Sequence, residues 1–369
     1  MHQPGSDLKY QIALTLPKGI GPTLAKRLIA HFGSAQAVFK APKKDLEEVE
    51  RLSQIAIADL QNSQHLLRAE EELKFIEKQG LQAHFYLSPA YPRRLKHCED
   101  GPLVLYQKGH CNLNASNVIA IVGTRGATDY GKSFCHQLGH DLIPHQPLVV
   151  SGMAYGIDAA AHKAALEHKL PTIGVMAHGL DSVYPHLHRK LAEDILASKG
   201  ALVSEFISGT KPDRENFPKR NRIIAGMSDA TLVIEAANKG GALITADLAN
   251  GYNRDVFALP GRHNDKFSEG CNKLIRGHKA NLLTGVKDLE YILGWQANKG
   301  LPIQPEIFAN LSPAEQRVYD FLESKNKGVE LYYISTHFKE PVNRTLQALM
   351  TLELKGLVKC LPGKIYAKA

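Results

Sequence analysis

The sequence has one tryptophan, few cysteines and no long apolar run. Its five cysteines, Cys98, Cys111, Cys135, Cys271 and Cys360, are scattered and form no C-x-x-C pair. That pattern argues against a disulfide framework and a cysteine zinc site, and it fits a reducing compartment. No apolar run approaches the ~18 residues of a membrane span, so no membrane partner is expected. Met1 to Asp7 are polar and lack the charged and apolar regions of a secretory signal. A cytoplasmic protein is the expectation. There is no internal repeat, no low-complexity segment and no basic tail. Lysine and arginine number 45 against 37 acidic residues, a formal charge of +8. So mild an excess means that any nucleic-acid role must rest on local clusters.

What the chain does have is core-forming capacity, with 44% apolar residues over 369 positions. Residues 1–84 read as helices, with the turn Pro17-Lys18-Gly19-Ile20-Gly21-Pro22 between two of them. Such a turn offers backbone N–H groups to a DNA phosphate, or serves as a tight helix–helix connection. Residues 85–117 read as a packed, irregular connection. Strand and helix then alternate to about residue 294, with strands expected at 118–122, 148–151, 172–177, 202–205, 231–235 and 256–259. Short apolar runs separated by helices predict a doubly wound, mostly parallel α/β sheet. Residues 295–311, with Pro302 and Pro305, predict a linker. Residues 312–369 predict three helices and a short hairpin.

The chemistry-bearing segments lie where strands lead into helices. Gly123-Thr124-Arg125 follows the first parallel strand. Its glycine lets a ligand approach the backbone, and its arginine presents a planar fork to phosphate oxygens. Ser151-Gly152-Met153-Ala154-Tyr155-Gly156-Ile157-Asp158 joins a strand to a helix, either as a ligand loop or as a cap made by Asp158. Arg214-Glu215-Asn216-Phe217-Pro218-Lys219-Arg220-Asn221-Arg222 is the densest basic segment with an aromatic. Phe217 there can stack on a base, while Arg214, Lys219, Arg220 or Arg222 meets phosphates. Helical spacing sends those arginines to different faces, so some are expected in internal salt bridges. Lys239-Gly240-Gly241 supplies a third glycine loop. Together these suit a polymer of phosphates and bases better than one small cofactor.

Two further patterns point elsewhere. Gly126 to Ser133 matches the literal P-loop pattern, but it begins about three residues after its strand and places Asp129 in the phosphate cradle. Glu235 beside a glycine loop keeps open a nucleotide-cleaving enzyme on a similar sheet. His178, His186 and His188 have no carboxylate–histidine spacing, so no metal site is expected.

In their order and spacing, these segments resemble the DNA-processing protein A family (DprA, also called Smf). The resemblance rests on Ser151 to His162, Gly179-Leu180-Asp181 with Tyr184-Pro185, Ser204-Glu205 and Phe217 to Ile224. It continues through Gly240 to Ala246, Ala258-Leu259-Pro260-Gly261 and Ser268-Glu269-Gly270-Cys271-Asn272. It implies an extended Rossmann-like domain over 85–295 that binds single-stranded DNA without catalysis and without a cofactor. The flanking parts resemble a helical SAM-like or helix-hairpin-helix domain over 1–84 and a winged helix over 312–369. The family's role implies a homodimer that protects incoming single strands and loads RecA during natural transformation. Its site residues fall on Gly123, Arg125, Ser151, Gly152, Gly156, Arg214, Phe217, Lys219, Arg220, Asn221, Gly240 and Gly241. Duplex DNA is a partner left open by the winged helix, whose third helix carries Arg344 as its one basic residue.

Overall fold

Short apolar runs bounded by polar residues and glycine make strands that can be buried on both faces. The computed structural model of the chain describes residues 4–296, 311–325, 328–355, 357–361 and 364–368. Nine strands form one sheet, the central ones of this kind. They are β1 (Gln82–Phe85), β2 (Val104–Gly109), β3 (Val118–Val122), β4 (Leu148–Ser151), β5 (Thr172–Val175), β6 (Ala201–Ser204), β7 (Ala230–Val233), β8 (Asp255–Ala258) and β9 (Asn281–Leu282). Their order is β1-β2-β6-β5-β4-β3-β7-β8-β9. β2 pairs antiparallel with β1 and with β6; every other pairing is parallel.

This order places the site. From β3 the chain winds outward through β4, β5 and β6, then returns to β3's other side with β7. Connections therefore leave β3 and β7 in opposite directions, and a crevice opens beyond their carboxyl ends. Several strands end sooner than their apolar runs suggest, at Val175, Ser204, Val233 and Ala258. Pairing still runs one bond further, with Met176 N–H donating to Val203 O (2.8 Å) and Ile234 N–H to Val122 O (3.1 Å). The short edge strands β1 and β9 have no alternation to read, and β1 spans positions 84 and 85.

The chain divides into two compact units, residues 1–297 and 298–369. In the first, the helices before β1 share a core with one face of the sheet, where Leu28, Ile57 and Leu60 join Tyr106, Met176 and Leu202. Buried Glu72 anchors them by accepting from Arg68 (3.0 Å) and from the N–H of Ser208 (3.0 Å) in the loop after β6. The irregular connection is fastened by Arg94. Its guanidinium meets both oxygens of Asp229 (2.5 and 2.8 Å) and the carbonyls of Ala115 and Ser116.

The second unit has helices Pro313–Glu323, Leu331–Phe338 and Val342–Leu354 and an antiparallel sheet. Its strands β10 (Val329–Glu330), β11 (Val358–Leu361) and β12 (Ile365–Lys368) run in the order β10-β12-β11. Val318, Ile334, Leu349 and Leu352 form its core. The linker expected at 295–311 lies almost wholly outside the described residues. Among the described residues no helix is long and apolar enough to cross a membrane.

One buried polar group makes the sheet acid-sensitive. The Thr172 hydroxyl gives its proton to Val149 O (2.9 Å), so it accepts from His162 Nδ1 (2.7 Å). His162 Nε2 finds no partner among the described residues. Burial holds this imidazole neutral, with its pKa moved from 6.5 to about 3. Between those values the unfolded chain binds more protons than the folded one, so stability falls as pH drops below 6.5. Thermal unfolding followed from pH 7 to pH 5 is expected to show a falling midpoint. His162→Gln is expected to flatten that slope, and an unchanged slope would place the sensitivity elsewhere.

Candidate functional site

The loops at the switch point are stitched together by backbone. Thr124 N–H, after β3, donates to Glu235 O after β7 (2.7 Å), and Thr124 O accepts from Ile157 N–H (3.1 Å). Helix Ile157–Glu167 therefore starts against the β3 loop. Gly156 makes this possible, because its φ of 79° suits glycine and a Cβ there would overlap Thr124 O. Gly123 likewise leaves room for the Ile157 side chain. Ser151 is fully buried and donates to Ile121 O (2.7 Å). Ser151 and Gly152 are buried and Gly156 is half-buried, so they shape the rim mainly from within.

Helix Asn216–Met227 sorts the basic segment by face. Phe217, Arg220, Asn221 and Ile224, at helical spacing, turn toward the crevice. Arg220 is buried and donates to the carbonyls of Gly152 and Val175 (2.7 Å to the latter) and to Asn221 Oδ1 (3.1 Å). Burial lowers its pKa to about 10, against the pull of Asp158, so it stays a cation at neutral pH. Burial raises the Asp158 carboxyl, a shift that Arg220 opposes. Gly152 sits between the two, and a Cβ there would collide with both side chains. On the opposite face Arg222 pairs with Glu205 and donates to Asp100 O. Lys219 shares that face and lines a separate cavity of about 510 Å³ against Leu14 and Ile20. Arg214 is exposed just before the helix and lies outside both linings.

The crevice has a volume of about 320 Å³. Gly123, Arg125, Phe217, Arg220, Asn221, Gly240 and Gly241 come together in its walls, from segments more than a hundred positions apart. Arg125 lies over Phe217, with Cζ 5.3 Å from the ring centroid. Two contributors were not picked out from sequence. Lys239 lines the crevice, and Tyr184 sits beside Phe217 with ring centroids 6.2 Å apart. Both come from distant loops, and only their nearness to glycine and proline marked them. Among the described residues Arg125, Arg214, Lys219 and Lys239 make no ion pair.

Two helix starts near this crevice differ. Helix Gly241–Gly251 has no side-chain cap, and Gly240 has open space where a Cβ would go. Its first N–H groups and the positive end of its dipole suit an incoming anion. Helix Asp129–Asp141, the literal P-loop match, is already satisfied. Thr128 Oγ1 accepts from Gly131 N–H (3.4 Å), while the Glu235 carboxylate accepts from Thr128 N–H (2.9 Å) and from its hydroxyl. A Cβ on Gly131 would meet that carboxyl at 2.6 Å. A protein carboxylate stands where a phosphate would sit, and Lys132 turns to Asp129 (3.2 Å). The same bonds commit buried Glu235 to the start of this helix. At the turn near residue 19, Lys18 N–H is likewise given to Asp59 Oδ2 (2.6 Å) rather than left for DNA.

Residues 82–293 match the family model described as DNA recombination-mediator protein A. Protein Smf of Synechocystis sp. is 32% identical over 400 residues, covering 98% of this chain and 99% of that protein. The X-ray structure of DNA processing protein A from Streptococcus pneumoniae superposes with a TM-score of 0.64 at 29% identity, covering 77% of this chain and 97% of that one. A structure describing the unique single-stranded DNA binding mode of DNA processing protein A from Helicobacter pylori has a TM-score of 0.52 at 29% identity. It covers 58% of this chain and 95% of that one.

The two kinds of glycine are separable by stability. Gly152→Ala is expected to displace the Arg220 guanidinium and cost ~1–3 kcal/mol, read as a lower urea midpoint. Gly240→Ala is expected to leave that midpoint unchanged. Equal effects would contradict the packing role given to Gly152.

Proposed function

Since the chain belongs to the DNA recombination-mediator protein A family, we propose that it binds single-stranded DNA along the crevice at the β3–β7 switch point. The observation that carries this reading is the exposed Arg125 lying over the half-buried Phe217 ring, beside the uncapped start of helix Gly241–Gly251. In this reading an unstacked base rests on Phe217 and Tyr184. Phosphates meet Arg125, Lys239 and the N–H groups after Gly240 and Gly241. Arg220 acts from the floor as a fixed positive charge, Asn221 holds the Gly241 loop, and Arg214 and Lys219 extend the track on either side of the helix. A duplex keeps its bases stacked inside and cannot use the aromatic pair, so the site favours flexible single strands.

The proposed activity is binding without catalysis and without a cofactor, in the cytoplasm. The strand is protected and passed to RecA by a homodimer, in natural transformation where the organism takes up DNA. The commitment of Glu235 to Thr128 supports this over a nucleotide-cleaving enzyme or a P-loop ATPase. Residues 1–84 serve as a SAM-like helical domain, 85–295 as the DNA-binding domain and 312–369 as a winged helix. The three helices and antiparallel sheet of the second unit support the last assignment. Helix Val342–Leu354 has a single basic residue, Arg344, which favours a protein contact there over duplex DNA.

Fluorescence anisotropy with a labelled oligonucleotide tests the reading. Salt-sensitive binding that unlabelled duplex fails to displace is expected. Phe217→Ala is expected to weaken it by ~1–3 kcal/mol, roughly five- to 150-fold. Arg125→Ala and Lys239→Ala should each lower the slope of log K against log salt by ~0.7. If all three variants bind as the parent does, the DNA lies on another face.

A further inference from the structure

A second site sits away from the crevice, at the far ends of two helices that begin there. Helix Asp129–Asp141 carries His136 and His140 one turn apart, on one face. Helix Ile157–Glu167 ends in Glu167, with His168 directly after it. Packing of the two helices brings these residues together. His136 Nε2 lies 3.1 Å from Glu167 Oε1. The rings of His136 and His140 stand 5.0 and 5.7 Å from that of His168. One ligand atom each from His136, Glu167 and His168 falls within 4.8 Å of the others. His168 Nε2 is buried and has no hydrogen-bond partner among the described residues.

We propose that His136, Glu167 and His168 bind a transition-metal ion, Zn²⁺ foremost, and leave a fourth position open. Two imidazoles and a carboxylate with an open fourth position are a known zinc donor set. Tetrahedral bonds of ~2.0–2.1 Å would draw the ligand atoms to about 3.3 Å apart, a spacing His136 and Glu167 already have. The remaining closure asks side chains to move by roughly an ångström. The negative ends of both helix dipoles favour a cation here. The ion would pin together the two helices that carry the β3 and β4 loops of the crevice.

The test uses the full chain without a polyhistidine tag, stripped with chelator and titrated with zinc sulfate by calorimetry. Saturable uptake of one ion per chain and a higher thermal midpoint are expected. His136→Asn and His168→Asn should each weaken uptake at least ~tenfold and abolish the midpoint shift. His263→Asn, an exposed histidine in another loop, should change neither. Absence of saturable uptake would overturn the proposal, and so would uptake that is the same in His136→Asn and His168→Asn as in the parent. Both distal variants should keep the parent's affinity for single-stranded DNA, so failure of this site and failure of the crevice reading are distinguishable.

Discussion

The Arg220 guanidinium, shut off from water, must find its hydrogen bonds inside the protein. A buried charge costs several kcal/mol unless it is so satisfied. Arg220 takes the carbonyls of Gly152 and Val175, the residues closing the ends of β4 and β5. That requirement fixes the rotation of helix Asn216–Met227 against the sheet. Once the rotation is set, helical spacing decides which neighbours face the crevice and which face away. Phe217 and Asn221 go one way, and Lys219 and Arg222 the other. The position of the aromatic is thus a consequence of how one cation is solvated.

Electrostatics then divide the rim. Among the helices that begin close to the switch point, Asp129–Asp141 and Gly241–Gly251 each bring unsatisfied N–H groups and a positive dipole end. The chain fills one with its own carboxylate and leaves the other uncapped. Anion affinity is thereby concentrated beside Gly240 and Gly241, near Arg125 and Lys239, rather than spread along the whole sheet edge.

The parallel core was legible because runs such as Val118–Val122 and Leu148–Val150 are apolar throughout, as strands buried on both faces tend to be. β1 and β9 were not legible, since four and two residues at a sheet edge carry no period. Glycines were the harder signal. Gly152 makes space for a buried arginine, whereas Gly240 borders open solvent, yet both occur in similar strand-to-helix loops. Sequence gives the missing Cβ but not what occupies its place. The divergence of the basic segment could be foreseen from helical period alone. That Tyr184 and Lys239 join the site could not be foreseen, because their neighbours are set by tertiary contacts.

The carboxylate of Glu235 has a consequence for selection by size. A cradle that grips one phosphate tightly would be saturated by the free nucleotide pool, whatever else the protein met. With that cradle self-occupied, what the proposed strand site offers is a row of separate, modest contacts. A mononucleotide can engage few of them at once and leaves quickly. A long strand engages many, and each contact already made raises the effective concentration of the next. Under the strand-binding reading proposed above, length is measured through avidity, and free nucleotides become weak competitors.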